Sequence, residues 1–298
     1  MMHRVSNGLS DRGLRAVVAV AEERGLRFSR AVVLRDLSNL LVHLAPAPVV
    51  ARVSTATSVM RPGDGWLARE VAVAGHLAAA GAPVVAPSAE FDPGPHQHDG
   101  MVLTFWELAE EVPGAPDAAA AGRGLRACHE ALRDFRGDLH EHAGVREARA
   151  ILERLAAAGA VEAGDAAMLR RAGERLARRV DALALPLRPV HGDAHLGNVI
   201  TTARGPLWID WEDAFIGPVE WDLACLHASA LMLGRDPAPA AAAQVAYGPP
   251  ADPAALDVLI EARAFQVAVW TVVISAQRPG GAERIAARLA WLRERDRA

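Results

Sequence analysis

The sequence predicts an α+β fold in two parts: a small lobe built on antiparallel sheet over residues 1–105, and a larger, mainly helical lobe over 106–298. Short β-branched apolar runs crowd residues 31–54 and return at Met101–Phe105, the pattern of a half-buried meander. From residue 117 onward, long Ala/Leu/Arg patterns of helical period take over. The segment EEVPGAPDA (110–118) marks the change. A length of 298 residues fits about two domains of roughly 150 residues each, enough to bury a core without staples.

Residues 10–24 (SDRGLRAVVAVAEER) open on Ser or Asp and stop at Gly25, which predicts an amphipathic helix. AVVLRDL (31–37), NLLVHLA (39–45) and PVVARVS (48–54) follow as strands, parted by Ser38-Asn39 and by Pro46-Ala-Pro48. Connections this short suit antiparallel neighbours, not a βαβ crossover. DGWLAREVAVAGHLAAA (64–80) predicts a helix capped by Asp64 and ended by Gly81. Val84-Val85 and Met101–Phe105 are expected to complete the sheet, with EFDPGPHQHDG (90–100) between them as a loop. In the second lobe, helices are expected at 117–136, 145–158, 164–184, 219–233, 253–276 and 282–296. VHGDAHLGNVI and GPLWIDWEDAF, within 190–215, interrupt them as short strands or loops. The Ala-rich PAPAAAAQ (237–244) is too short to be a repeat.

Composition excludes several classes of function. Hydrophobic residues make up 51% and charged residues 23%, which argues against wholesale disorder. All 32 basic residues are Arg, and 36 acids outweigh them to a formal charge of −4. That balance speaks against an electrostatic grip on nucleic acid or an anionic membrane. The two cysteines, Cys128 and Cys225, form neither a disulfide framework nor a CxxC knuckle, so a reduced, cytoplasmic setting is expected. MMHRVSNGLSDRG at the N-terminus lacks a signal peptide's apolar core, and no uncharged run reaches 18 residues.

The most informative stretch is His191-Gly-Asp193-Ala-His195-Leu-Gly-Asn198, followed twelve residues after Asn198 by Asp210 in Ile209-Asp210-Trp211. An Asp, four residues, an Asn, and a later strand-borne Asp form the layout of phosphoryl-transfer sites. One carboxylate, Asp193, would accept the proton of an attacking hydroxyl. An amide oxygen, Asn198, and a second carboxylate, Asp210, would hold Mg²⁺ against nucleotide phosphates. The competing reading takes His191, Asp193 and His195 as ligands of a hydrolytic metal site. Such a site needs further His ligands, and only His227 follows.

With these motifs, the chain resembles the aminoglycoside phosphotransferase family of small-molecule kinases over roughly residues 30–230. The resemblance implies a bilobal protein-kinase-like fold and phosphorylation of a small-molecule hydroxyl by ATP, with GTP not excluded. It also implies a basic residue in the third strand reaching the nucleotide phosphates and a carboxylate on the next helix. Arg52 and Glu70 fill those places, with Arg61 and Arg69 as lesser candidates. Arg supplies a fixed charge in fork geometry. The phosphate-covering turn would be Asp36–Asn39, where Ser38 and Asn39 replace the glycines of protein kinases or simply make an ordinary turn. Adenine is expected against Leu103–Glu107, with Phe105 and Glu107 the named contacts and one of Phe105 and Trp106 a core aromatic.

For the acceptor, His195, Glu212 and Asp213 are the candidates. His191 is expected to brace the loop by hydrogen bonding. Asp222, in GPVEWDLA, is expected to cap backbone donors and brace the catalytic loop, with His129 a buried bracing residue. His96, His98, His140 and His142 read as solvated loop or helix-end residues. The expected partners are thus a nucleotide and a small hydroxylated molecule, without nucleic acid or membrane. Antibiotic resistance competes with a metabolic kinase of an amino alcohol, amino acid or sugar. A non-catalytic kinase-like nucleotide-binding module is the reading from another class.

Overall fold

A computed structural model of the chain describes residues 8–55, 58, 60–61, 63–140, 143–275 and 280–296. The first seven residues and His142 lie outside these. The chain divides into two compact units, Met1–Glu110 and Glu111–Ala298.

The first unit begins with helix α1 (Gly8–Glu23) and a meander of β1 (Arg30–Asp36), β2 (Asn39–Ala45) and β3 (Val49–Ser54). Helix α2 (Gly65–Ala79) follows, then β4 (His96–His98) and β5 (Met101–Glu107). The five strands form one antiparallel sheet in the order β1-β2-β3-β5-β4. Period-two alternation sends Leu40, Val42 and Leu44, Val49, Ala51 and Val53, and Met101, Leu103 and Phe105 to one face. There they bury against Ala16, Val17, Val20 and Ala21 of α1, each large aliphatic contributing about 1.5–3 kcal/mol. The register therefore turns Arg52 and Thr104, which pair across β3 and β5, to the opposite face.

Three expectations for this unit are corrected. Val84-Val85 makes no strand: prolines 83 and 87 flank it and withhold ladder donors, leaving isolated bridges at Val84 and Pro87, the latter to Trp106. The fifth strand is instead His96–His98, inside the expected loop, joined to β5 through Asp99-Gly100 with both residues at positive φ (47° and 69°). Asp-Gly is the preferred pair for such a two-residue hairpin turn, so the signal stood in the sequence. Asp64 occupies the N-cap position of α2 but caps nothing; its carboxylate accepts from Gln97 Nε2 at 2.9 Å.

The second unit is mainly helical: α3 (Ala118–Ala131), α4 (Ala143–Ala157), α5 (Ala163–Asp181), α6 (Val219–Leu233), α7 (Ala238–Tyr247), α8 (Pro253–Ser275) and α9 (Gly281–Asp296). Two small antiparallel pairs interrupt the helices, β6 (Arg188–Val190) with β9 (Phe215–Gly217) and β7 (Val199–Thr202) with β8 (Gly205–Trp208). Helix α7 arises from the Ala-rich stretch: alanine is the best helix former, and prolines 237 and 239 are tolerated in a first turn. Helix α8 is long and apolar enough to cross a membrane by length and composition, yet most of it is buried against α4, α5, α6 and α9. It is a core helix.

Candidate active site

The loop between β6 and β7 carries the HGDAHLGN motif, and the turn after β8 carries IDWED. Two bonds join them: His191 Nε2 contacts the Ile209 carbonyl at 2.9 Å, and Ile209 N–H donates to the Asn198 carbonyl at 3.0 Å. Gly192, at φ +85°, closes the same contact. A Cβ there would stand 2.1 Å from the Asp213 carbonyl oxygen, so only glycine lets the loop lie on the turn. Asp193, Asn198 and Asp210 are thereby carried together.

Each of the three has a distinct setting. Asp193 is partly exposed, and its Oδ1 is ion-paired with Arg263. His195 Nε2 stands 3.6 Å from that same oxygen. Asp193 Oδ2 has no partner among the described residues. Asn198 is buried; its Nδ2 donates to the Asp193 carbonyl at 3.0 Å, which leaves its amide oxygen for a hard cation. Asp210 is not on a strand as expected but two residues past β8, in the left-handed region at φ 68°, ψ 55°. A non-glycine residue held there costs roughly 1–2 kcal/mol, and such strain gathers at functional sites.

Helix α6 supports the loop from behind. Asp222, fully buried, accepts from His191 N–H at 2.7 Å, Gly192 N–H at 2.9 Å and His129 Nε2 at 2.8 Å. Trp221 Nε1 donates to the Gly192 carbonyl at 2.9 Å. His129 reaches the Tyr247 hydroxyl at 2.8 Å through its other nitrogen. The expected bracing roles of Asp222, His129 and His191 match this geometry. Glu220, also buried, accepts from Ala251 N–H at 2.9 Å.

Charges around Asp193 set two protonation states. Burial pushes the Arg263 guanidinium down, but Asp193 and other nearby acids push it up further, so it stays charged. Burial pushes the His195 imidazole down; Asp193 opposes this, while Arg263 and His191 add to it. His195 is thus neutral at pH 7, and its Nδ1 accepts from Gly197 N–H at 3.0 Å, which puts the ring proton on Nε2. Of the other acceptor candidates, Glu212 is buried and Asp213 partly exposed.

Arg263 is the residue that sequence reasoning missed. It lies on α8, 70 residues from Asp193, and also donates to Gln266 Oε1. The signal was an Arg in the middle of an apolar helical run, since Arg is almost never fully buried unless paired.

The first unit holds the other candidates. Arg52 and Glu70 form a buried ion pair, side chains 7% and 2% exposed. Arg61 and Arg69 both set their guanidinium groups over Trp66, with Arg61 4.0 Å from the ring centroid. Ser38 and Asn39 stand at the turn between β1 and β2, where the Ser38 carbonyl accepts from the Thr55 hydroxyl at 2.9 Å. Glu107 ends β5 and is exposed. Phe105 is a correction: its ring is fully buried, 4.6 Å from Phe91. Its N–H and C=O pair with Pro93 and Ser88, which leaves nothing to offer a nucleotide. His96 is likewise not solvated but buried, with Nε2 2.9 Å from the Asp92 carbonyl; His140 is exposed.

The model of the phosphotransferase enzyme family matches residues 19–259. Among solved structures, an amicoumacin kinase in complex with AMP-PNP, Ca²⁺ and Ami is similar at TM-score 0.75 and 13% identity, covering 94% of this chain and 93% of that one. Choline kinase LicA from Streptococcus pneumoniae follows at TM-score 0.64 and 15% identity, covering 94% and 99%. A spectinomycin phosphotransferase in complex with ADP and spectinomycin gives 0.61 and 12%, covering 94% and 93%. These likenesses show the fold. No curated protein matches the chain.

Proposed function

This chain belongs to the phosphotransferase enzyme family, an enzyme of small-molecule hydroxyls, and from that premise we propose that it transfers the γ-phosphoryl group of MgATP. The observation that carries the reading is the joining of the Asp193 loop to the Asp210 turn, with Gly192 as the point of contact. Asp193 is the base. Arg263 holds Oδ1, so Oδ2 is the oxygen that takes the hydroxyl proton. In the step, a bond forms from acceptor oxygen to γ-phosphorus and the bond from γ-phosphorus to the bridging oxygen breaks. The proton goes to Asp193, and ADP leaves with the electron pair. The work is positioning and charge neutralisation.

The donors fit a hard divalent cation: a neutral amide oxygen on Asn198 and a carboxylate on Asp210, both oxygens. When bound, Mg²⁺ would neutralise phosphate charge. Asp210→Ala is expected to abolish the Mg²⁺-dependent part of nucleotide binding, because Asn198 alone supplies one neutral oxygen. Calorimetry with and without Mg²⁺ reads this. Unchanged metal dependence would move the site to Glu212 or Asp213.

Arg52, oriented by Glu70, is assigned to the nucleotide phosphates, Ser38 and Asn39 to the turn that covers them, and Glu107 to the adenine. The support is the buried Arg52–Glu70 pair, a fixed cation on the sheet face away from α1. Arg52→Ala should raise the Michaelis constant for ATP roughly 10-fold or more, the scale of a charge-assisted contact, and leave adenosine binding nearly unchanged. Arg52→Lys, which keeps the charge but loses the fork, should retain partial activity. An Arg52→Ala enzyme with unaltered ATP kinetics would shift the assignment to Arg61 or Arg69.

The similar structures include an amicoumacin kinase and a choline kinase, so antibiotics and metabolites belong in one acceptor screen. Acceptor-dependent ADP release across hydroxylated antibiotics, amino alcohols and sugars tests the reading. Nucleotide binding with no acceptor-dependent ADP would favour a non-catalytic module.

A further inference from the structure

Helix α8 carries a buried polar stripe through an otherwise apolar surface: Arg263, Gln266, Thr271 and Ser275 are all at least nine-tenths buried. Helical spacing puts Arg263, Val267, Thr271 and Ser275 on one side at steps of four residues. Helix α9 faces this stripe with two more arginines. Arg284 Nε donates to the Ser275 hydroxyl at 3.3 Å, and Arg288 donates to the Thr271 hydroxyl. Thr271 in turn gives its proton to the Val267 carbonyl at 2.6 Å, so toward Arg288 it is purely an acceptor.

Three guanidinium groups therefore stand in a row, and among the described residues only one has a counter-ion. Arg263 has Asp193; Arg284 and Arg288 have neutral hydroxyls and no carboxylate among the described residues. Arg288 Nε is shut off from solvent with no hydrogen-bond partner among the described residues. Burial holds the Arg288 guanidinium below its ordinary value, and repulsion from Arg284, Arg235 and Arg263 lowers it further. A partly buried cation among three others, with a donor left over, is the arrangement an anion completes.

We propose that Arg284 and Arg288 bind an anionic oxygen group, carboxylate or phosphate, on the acceptor, whose hydroxyl then lies at Asp193. This rests on the assignment of Asp193 as the base. Thr271 lies eight residues along α8 from Arg263, about 12 Å at helical rise. A polycationic antibiotic would meet like charge at that end.

The test measures binding apart from turnover. With AMP-PNP and Mg²⁺ filling the nucleotide site, inorganic phosphate, glucuronate, glucose 6-phosphate, glucose and glucosamine are titrated by calorimetry. The two anionic sugars should bind at least 10-fold more tightly than glucose, and glucosamine more weakly still. Arg288→Gln should cut phosphate and anionic-sugar affinity about 10-fold or more, Arg284→Gln less, and Arg288→Lys only a few-fold. None should lower the melting temperature by more than a degree or two, since an uncompensated cation is being relieved. Whichever of glucuronate and glucose 6-phosphate gains more over glucose names the anion. Phosphate affinity unchanged by Arg288→Gln, no phosphate binding at millimolar concentration, or a preference for glucosamine would each overturn the inference. The base assignment is judged separately, from turnover in Asp193→Asn.

Discussion

Asp193→Asn is expected to lower turnover roughly 10²–10⁴-fold while nucleotide binding stays nearly intact, the loss typical of removing a general base. Asn is the informative substitution because Arg263 must not be abandoned. That guanidinium is buried, with Gln266 its only other described partner, and stripping its anion outright would cost several kcal/mol. An Asn oxygen in the place of Oδ1 still accepts from Arg263 and so keeps the hydrogen bond, but the counter-charge is lost, and the variant should melt below wild type while remaining folded. The Asn198 amide bonds to the main-chain carbonyl of residue 193, which the substitution does not touch. What disappears is the proton acceptor at Oδ2. Kinetics and nucleotide titration should therefore separate: turnover collapses, and the dissociation constant for the nucleotide moves by no more than a few-fold. Near wild-type turnover in the folded variant would remove Asp193 from the chemistry.

Legibility differed between fold and site for physical reasons. The β1–β2–β3 meander could be read because short apolar, β-branched runs of six or seven residues are parted by turn-forming residues, Ser38-Asn39 and Pro46-Ala-Pro48. Strand β4 could not be read that way. Three residues, two of them His, carry no alternation, and their place is dictated by the Asp-Gly turn and by His96 burying against Phe91 and Phe105. The spacing of HGDAHLGN and the following IDW was enough to nominate Asp193, Asn198 and Asp210, because the short β7–β8 hairpin returns the Asp210 turn to the loop. Arg263 was not nominated, because its tie to Asp193 is tertiary: α8 brings it back across 70 residues, and no local pattern encodes that. Phe105 failed for the complementary reason. Alternation alone does not say which face of a strand a helix will cover, and α1 covers the face bearing Phe105 while Arg52 points the other way.

Asp222→Asn should be among the most destabilising single substitutions in the second unit, by about 3–5 kcal/mol, the range for breaking a fully buried charged pair. The carboxylate takes three donors: His191 N–H and His129 Nε2 on Oδ2, and Gly192 N–H on Oδ1. An amide has the same shape but only one acceptor oxygen. Whichever way it turns, an NH₂ group faces at least one of these N–H donors, and no water reaches the site to relieve it. The melting temperature should fall about 6–20 °C. Turnover should fall with it, because the two N–H groups released belong to the residues directly before Asp193. The pH dependence identifies the cause. Burial pushes the Asp222 carboxyl up, but hydrogen bonding and charge from His129, with His191, pull it down further, so its folded value lies below the ordinary one. Stabilisation of that sign is fully present above the unfolded value, about pH 3.9, and is lost as pH falls through the folded value. The difference between wild type and variant should thus be flat from pH 7 to 5 and shrink only below about pH 4. Equal melting at pH 7 would refute the bracing role, and a gap that closes between pH 7 and 5 would assign the effect to an imidazole instead.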